Sequence, residues 1–243
     1  MKARRNDCIQ FKTLMMNPLS VLNKKKKMNI FPVPGYEELI NIPGIVPQRA
    51  GEFIPKWIKS IPTRQDTIKD CPVIPEYISQ GIIIPMWCDM YFMATDDGII
   101  IETPSDVFKA STHGNNQFLD YIDSENNHIY GVVKLQCPWL IETPKNTHVY
   151  QLPTTYHFNG NFSVMPGSIR TDVHYQINQQ VLLHKKDEWI FIQKGTPLVQ
   201  YIPYINKKVK HTVGLYTKKQ LDSFKTQRTN LATKFFGAYK LTK

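Results

Sequence analysis

Apolar and polar positions alternate with period two through much of the chain after residue 80. Val133, Leu135 and Cys137 alternate with Lys134 and Gln136. Val209, His211, Val213 and Leu215 alternate with Lys210, Thr212, Gly214 and Tyr216. Because successive side chains of a strand point to opposite faces, this spacing in β-branched and aromatic residues predicts half-buried strands. Further short strands are expected near residues 82–93, 98–103, 148–152, 162–165, 179–184, 188–193 and 198–204. Turn residues punctuate them at Asp96-Asp97-Gly98, Asn159-Gly160-Asn161, Pro166-Gly167 and Lys194-Gly195. Ile-Glu-Thr-Pro occurs at 101–104 and again at 141–144. The sequence around the two copies does not otherwise match, so the run reads as a recurrent strand-to-turn ending, not a repeat architecture.

Two stretches depart from period two. Residues 31–85 hold prolines at 32, 34, 43, 47, 55, 62, 72, 75 and 85. Proline lacks the N–H that helices and central strands need, so this stretch is expected to wrap the core as an extended strap, with a short helix near residues 75–80. At the C-terminus, Leu221, Phe224, Arg228, Leu231, Phe235 and Tyr239 recur every three or four residues, and Thr217 followed by Gln220 forms a capping-box start. This predicts an amphipathic helix with a basic outer face. It either packs on the side of the domain or docks on a partner or membrane surface. The expected organisation is a basic arm over 1–27, a Pro-rich strap over 28–80, a β core over 81–216 and a basic amphipathic helix over 217–243. The fold class is all-β, a β-sandwich or jelly roll.

The chain has 243 residues, enough for one domain with a large core, and its twelve Tyr, twelve Phe and four Trp argue against disorder. Trp57, Trp87, Trp139 and Trp189 are expected to be core fillers at strand positions. No window is apolar enough for a transmembrane helix, and the interrupted apolar stretch 11–22 makes a poor secretory leader. Cys8, Cys71, Cys88 and Cys137 lie at long, irregular intervals with no C-x-x-C, which reads as buried or idle thiols in a reducing compartment.

The net charge of +10 is unevenly placed. Residues 1–27 carry eight Lys or Arg against one acid, and residues 207–243 carry ten against one. The body between them has twelve basic and eighteen acidic residues, a net charge of −6. A nucleic-acid-binding domain usually carries its positive charge on the folded surface. Here the positive charge sits at the ends, which reads better as arms or docking segments, and any nucleic-acid contact is expected through the basic termini only.

Several chemistries lack their residues. There is no G-x-x-x-x-G-K-[ST], G-x-G-x-x-G, G-x-S-x-G or H-E-x-x-H. Seven His are scattered without metal-ligand spacing, and no metal or cofactor is expected. His174 and Asn178, following Gly160, Pro166 and Gly167, form a fragment of the second cupin motif. The first cupin motif, with its paired His and Glu, is missing.

Two resemblances extend this reading. Pro166-Gly167-Ser168-Ile169-Arg170-Thr171-Asp172, then Val181-Leu182-Leu183, then Ile192 and the run Lys194-Gly195 to Gln200, resemble the central part of trimeric deoxyuridine triphosphatases. The resemblance covers about 40 residues and implies a β-clip-like strand arrangement. Arg170 stands where that family has an acid, and Val173-His174-Tyr175 replaces its Tyr-x-Gly. The resemblance therefore implies no hydrolysis by Asp172 alone. A broader resemblance, over residues 55–203, is to an uncharacterised phage-associated family. Pro55-Lys56-Trp57, Gly81 with the run to Asp89, Cys137-Pro138-Trp139 and Gly195-Thr196-Pro197 carry it. It implies a β fold and a phage setting, with the virion or the host cytoplasm as location.

The expected function is a non-catalytic, phage-encoded structural or interaction protein, a virion component working with other subunits in an oligomer. Its partner contacts are expected at Lys24, Lys25, Lys26, Lys27, Leu221, Phe224, Arg228, Leu231, Phe235 and Phe236. The alternative is a β-barrel enzyme of the cupin or nucleotide-hydrolase type.

Overall fold

The computed structural model describes residues 27–62, 67–68, 71, 73–104, 108–211 and 213–233. Lys24, Lys25, Lys26, Phe235 and Phe236 lie outside them.

Thirteen strands form three antiparallel sheets among these residues. The first is built on the longest strand, β7 (Gly131–Glu142). One edge of β7 pairs with β6 (Ala110–Thr112) and then with β1 (Asn29–Pro32), and the other pairs with β11 (Gln176–Leu183), which carries β9 (Phe162–Val164). The second sheet runs β10 (Gly167–Ile169), β8 (Thr147–Pro153), β13 (Pro197–Ile205), β3 (Ile82–Pro85) and β2 (Gln48–Arg49). The third runs β12 (Ile190–Ile192), β4 (Met90–Thr95) and β5 (Gly98–Glu102). Short helices α1 (Lys56–Ser60), α2 (Val73–Ile78) and α3 (Ser124–Asn127) fill connections, and α4 (Lys218–Thr233) ends the described chain. The class is all-β, consistent with a β-sandwich, with a C-terminal helix.

Alternation sorts the side chains. In β4 Met90, Phe92 and Ala94 are fully buried while Tyr91 points outward. In β11 Ile177, Gln179, Val181 and Leu183 face in, and Gln176, Asn178 and Gln180 face the rim. One hydrophobic cluster joins the sheets: Leu135, Trp139 and Val181 from the first, Ile84, Val149 and Tyr201 from the second, Phe92 and Ile190 from the third. Each such apolar side chain contributes roughly 1.5–3 kcal/mol by leaving water.

The Pro-rich strap is stitched to two sheets. β1 continues the edge of β7, Trp57 Nε1–H donates to Tyr156 O at 2.8 Å, and Gln200 Nε2–H donates to Tyr77 O and Gln80 O at 3.2 and 2.8 Å. Both Ile-Glu-Thr-Pro runs end strands, β5 and β7. The expected strand at 82–93 is broken in two, because residues 86–89 turn the chain out of β3 before β4 begins.

Three expectations are corrected. Residues 209–211 and 213–216 form no strand, since among the described residues no neighbouring strand lies beside them to complete their hydrogen bonds. Trp189 is 46 % exposed, because its sheet has no layer over its outer face, whereas Trp87 and Trp139 are buried. The C-terminal helix does not pack on the sandwich: its side chains from Lys218 to Thr229 are all exposed. Its start does follow the sequence, with Gln220 N–H donating to Thr217 Oγ1 at 3.3 Å and Thr217 N–H to Gln220 Oε1 at 2.9 Å.

Candidate functional site

A polar concavity on the first sheet lies beside a local irregularity. Gln176 pairs with Leu140 and Asn178 with Gln136, so Cys137, Pro138 and Trp139 of β7 stand opposite Ile177 alone. Pro138 has no N–H to give the ladder, and its carbonyl accepts from Val33 N–H of the strap at 2.8 Å. Bulges of this kind bend a strand and re-aim its side chains. Beside this one lie two cavities. The larger, 760 Å³, is lined by Lys109, Lys134, Ser111, Gln136, His174, Gln176 and Asn178 together with Phe108, Ala110, Ile101 and Thr103. The smaller, 250 Å³, is lined by Gln151, Ser168, Gln180 and the apolar Met165, Pro166, Ile169 and Ile177, with the same His174, Gln176 and Asn178. The two are adjacent lobes that share those three side chains.

The electrostatics of the lobes differ. Among the described residues no carboxylate lines either one. Lys134 sits opposite Ser111 of β6 and Gln180 of β11, and Lys109 is anchored where its carbonyl accepts from Gln136 N–H at 3.0 Å. Among the described residues neither lysine has an ion-pair partner. The larger lobe is therefore a cationic patch within a body of net negative charge.

Asp172, in the turn after β10, lies apart from both lobes. Its side chain is 3 % exposed and is held at 3.0 Å by Asn146 N–H, at 3.4 Å by Arg170 Nε–H and, more distantly, by the His148 ring at 3.9 Å. Burial pushes its carboxyl up, but the Asn146 amide, Arg170 and His148 outweigh it and hold it below the ordinary carboxylate value of 3.8. Asp172 therefore locks the β7–β8 turn to the turn after β10. With the folded value depressed, its stabilisation is present above about pH 4 and lost as pH falls through the lower, folded value. We expect Asp172→Asn to be less stable than the parent at pH 7, the difference closing on acidification. Thermal melts from pH 7 to pH 2 measure it, and a constant difference would refute the lock.

The same strands carry a polar surface array. Ser168 Oγ lies 2.6 Å from Tyr204 Oη, Tyr204 stacks on Tyr150 with ring centres 4.0 Å apart, and Tyr204 Oη is 3.4 Å from His148 Nδ1. The thiols of Cys88 and Cys137 are inert at neutral pH, since burial pushes both up to about 12. Among the described residues no three His, Cys, Asp or Glu side chains come together to hold a metal, and no helix is long and apolar enough to cross a membrane.

The sequence-predicted contact residues that are described do not reach the groove. Lys27, Leu221, Phe224 and Arg228 are exposed on the two ends of the chain, and Leu231 stands in the last turn of α4. The cupin-like pair His174 and Asn178 does meet, at the junction of the lobes. Lys109, Lys134, Gln136 and Gln176 were not singled out by the sequence. The signal available was the run of outward amides in β11 and the Lys134/Gln136 alternation in β7.

No known protein family matches the chain, and no curated protein does. Among solved structures it is similar to the dUTPase of phage phi11 of S. aureus (5 % identity over 79 % of this chain and 98 % of that one, TM-score 0.36). It is likewise similar to the dUTPase of Staphylococcus bacteriophage 80alpha (7 % identity, 79 % and 99 % covered, TM-score 0.36). A third is the EIAV dUTPase (10 % identity, 57 % and 86 % covered, TM-score 0.33). These are named as dUTPases and not as structural or virion proteins, so the expectation of a non-catalytic structural or virion protein finds no support among them and is withdrawn. The likeness is too distant to carry a reaction across, so the chemistry rests on the groove itself.

Proposed function

We propose that this chain is a β-fold enzyme of the nucleotide-hydrolase type, with the two-lobed groove on β6, β7 and β11 as its substrate site. One observation carries the reading: a cationic lobe lined by no carboxylate among the described residues shares His174, Gln176 and Asn178 with a smaller, neutral, amide-lined lobe. A phosphate chain fits the first by charge. Lys109 and Lys134 neutralise it, and the amides and Ser111 bond its oxygens. A nucleobase fits the second, where Gln151 and Gln180 offer donors and acceptors and Met165, Pro166 and Ile169 offer apolar contact. The larger lobe lies within the size range of small-molecule sites, and the smaller lies just below it. His174, at the junction, is the group placed to move a proton during attack of water on a phosphoanhydride. Asp172 has no catalytic part in this reading, because its carboxylate is engaged by Asn146 and Arg170.

Calorimetric titration with inorganic tripolyphosphate and with a panel of ribo- and deoxyribonucleoside triphosphates tests the site. Tripolyphosphate and at least one nucleotide should bind, more weakly as salt rises. Lys134→Gln should weaken binding about tenfold, as removal of a charged partner of a multivalent anion does, with an unchanged melting temperature. Phosphate release that persists in Asp172→Asn but falls in His174→Gln completes the reading. A wild-type protein that binds neither tripolyphosphate nor any nucleotide overturns it.

A further inference from the structure

The outer face of the third sheet is aromatic and uncovered. Tyr91, Ile100, Phe191 and Trp189 are each 40–46 % exposed. Tyr91 stacks on Phe191 with centroids 4.6 Å apart and meets Trp189 edge-on at 6.5 Å. Among the described residues β5 and β12 are both edges, each pairing only with β4. Acids border the patch. Glu102 lies directly across from Tyr91, and Asp97 sits in the β4–β5 turn. Both are exposed, and among the described residues neither has an ion-pair partner.

The tail after β13 has the complementary character and no place on its own body. Asn206 N–H to Asn146 O is the last backbone hydrogen bond that ties it to the sheets among the described residues. Beyond it, Val209, Val213 and Leu215 are 82, 99 and 100 % exposed, in a stretch with strand periodicity but no strand partner. Leu221 and Phe224 of α4 are also exposed. From residue 207 onward the chain carries ten Lys or Arg against one acid. Apolar side chains left in water at such exposures are a docking element without its dock.

We propose that the tail of one copy of this chain, over residues 207–224, lies across the Tyr91–Phe191–Trp189 face of a second copy. Its alternating Val209, Val213 and Leu215 cover the aromatic rings. Its lysines at 207, 208, 210, 218 and 219 meet Asp97 and Glu102. The contact is heterologous, tail to face, so it joins unlike surfaces of identical chains. It is remote in chemistry from the groove, and its test reads association rather than nucleotide binding.

Sedimentation of the full-length protein over a concentration series, at low and high salt, tests it. The wild type should self-associate, more weakly as salt rises. A tail variant, Val213→Asp with Leu215→Asp, and a face variant, Trp189→Ser with Phe191→Ser, should each weaken association at least about tenfold, as truncation at a buried contact centre does. Because the face variant could disturb folding, Asp97→Lys with Glu102→Lys probes the same face through its charges and should act likewise. Mixing tail and face variants should restore hetero-association, since each supplies the surface the other lacks. A monomeric wild type at its highest soluble concentration overturns the proposal. So does association that survives both variants, or that depends on the tail alone.

Discussion

Gly81→Ala is expected to abolish folding or to destabilise the protein by about 3 kcal/mol or more, well above the typical point mutation. Gly81 precedes β3 with φ of +70°, a left-handed backbone that side chains rarely adopt. A Cβ there would stand 2.0 Å from Tyr201 O and 3.0 Å from Ile202 Cα. Both obstacles are backbone of β13, which is pinned between β8 and β3 and has no freedom to withdraw. The Gly81 carbonyl also accepts from Ala50 N–H at 3.1 Å, so a shift of Gly81 would propagate into the strap. Two controls separate the causes. Gly44 has φ of +82° with open space around it, so Gly44→Ala carries the left-handed penalty alone, about 1–2 kcal/mol. At Gly131 the atoms nearest an added Cβ belong to the Ile99 and Ala94 side chains, the closest at 2.8 Å being Ile99 Cδ1, a chain end that can rotate away. Chemical denaturation of the three variants should rank Gly81→Ala far below the others. Comparable midpoints for Gly81→Ala and Gly44→Ala would refute the close approach.

Much of the fold is legible where local pattern and tertiary partner agree. The period-two runs at 133–137, 148–152 and 179–184 lie in β7, β8 and β11, each with a partner on both sides. The run at 209–216 has the same pattern, and its described residues form no strand. Periodicity reports which side chains could share a face, and only a neighbour with free backbone groups makes the strand. Conversely β1, β2, β6 and β10 are two to four residues long and were not legible. Pairing to longer strands, not intrinsic preference, holds such short pieces.

The site shows the same division. His174 and Asn178 stood out by spacing and do meet in the groove. The metal reading that such spacing suggests has no support in their neighbours, which are lysines and amides. Lys109 and Lys134 are distant in sequence and become neighbours only through the β6–β7 register, in which Ser111 faces Lys134. The charge reading by segment assigned the positive potential to the two ends and an acidic character to the body. A sum over residues 28–206 cannot reveal a cationic patch assembled from two strands of that body.

Tyr201→Phe is expected to cost about 2–4 kcal/mol despite removing one atom, because two buried partners lose their hydrogen bonds at once. Tyr201, Gln179 and Gln151 are 0, 0 and 3 % exposed, in the middle of an apolar core. The chain of bonds is directional. Gln179 Nε2–H donates to Tyr201 Oη at 2.9 Å, Tyr201 O–H donates to Gln151 Oε1 at 2.8 Å, and Gln151 Nε2–H donates to Met165 O at 3.0 Å. Burial raises the Tyr201 phenol well above its ordinary value of 10, so it stays a donor at every working pH. Removing the hydroxyl leaves Gln179 without an acceptor and Gln151 without a donor, and Gln179 Oε1 is already unpartnered. Replacing Gln179 as well removes its share of this penalty, while Gln151 Oε1 still lacks its donor. The double variant Tyr201→Phe with Gln179→Leu should therefore recover stability relative to the sum of the single effects, by 1 kcal/mol or more, as coupled neighbours do. Urea unfolding of wild type, singles and double gives the cycle. Since Gln151 reaches the smaller lobe of the groove, Tyr201→Phe should also weaken nucleotide binding while Lys134→Gln leaves unfolding unchanged. Strict additivity, or a Tyr201→Phe midpoint equal to wild type, would show that the buried chain of amides contributes nothing to the fold.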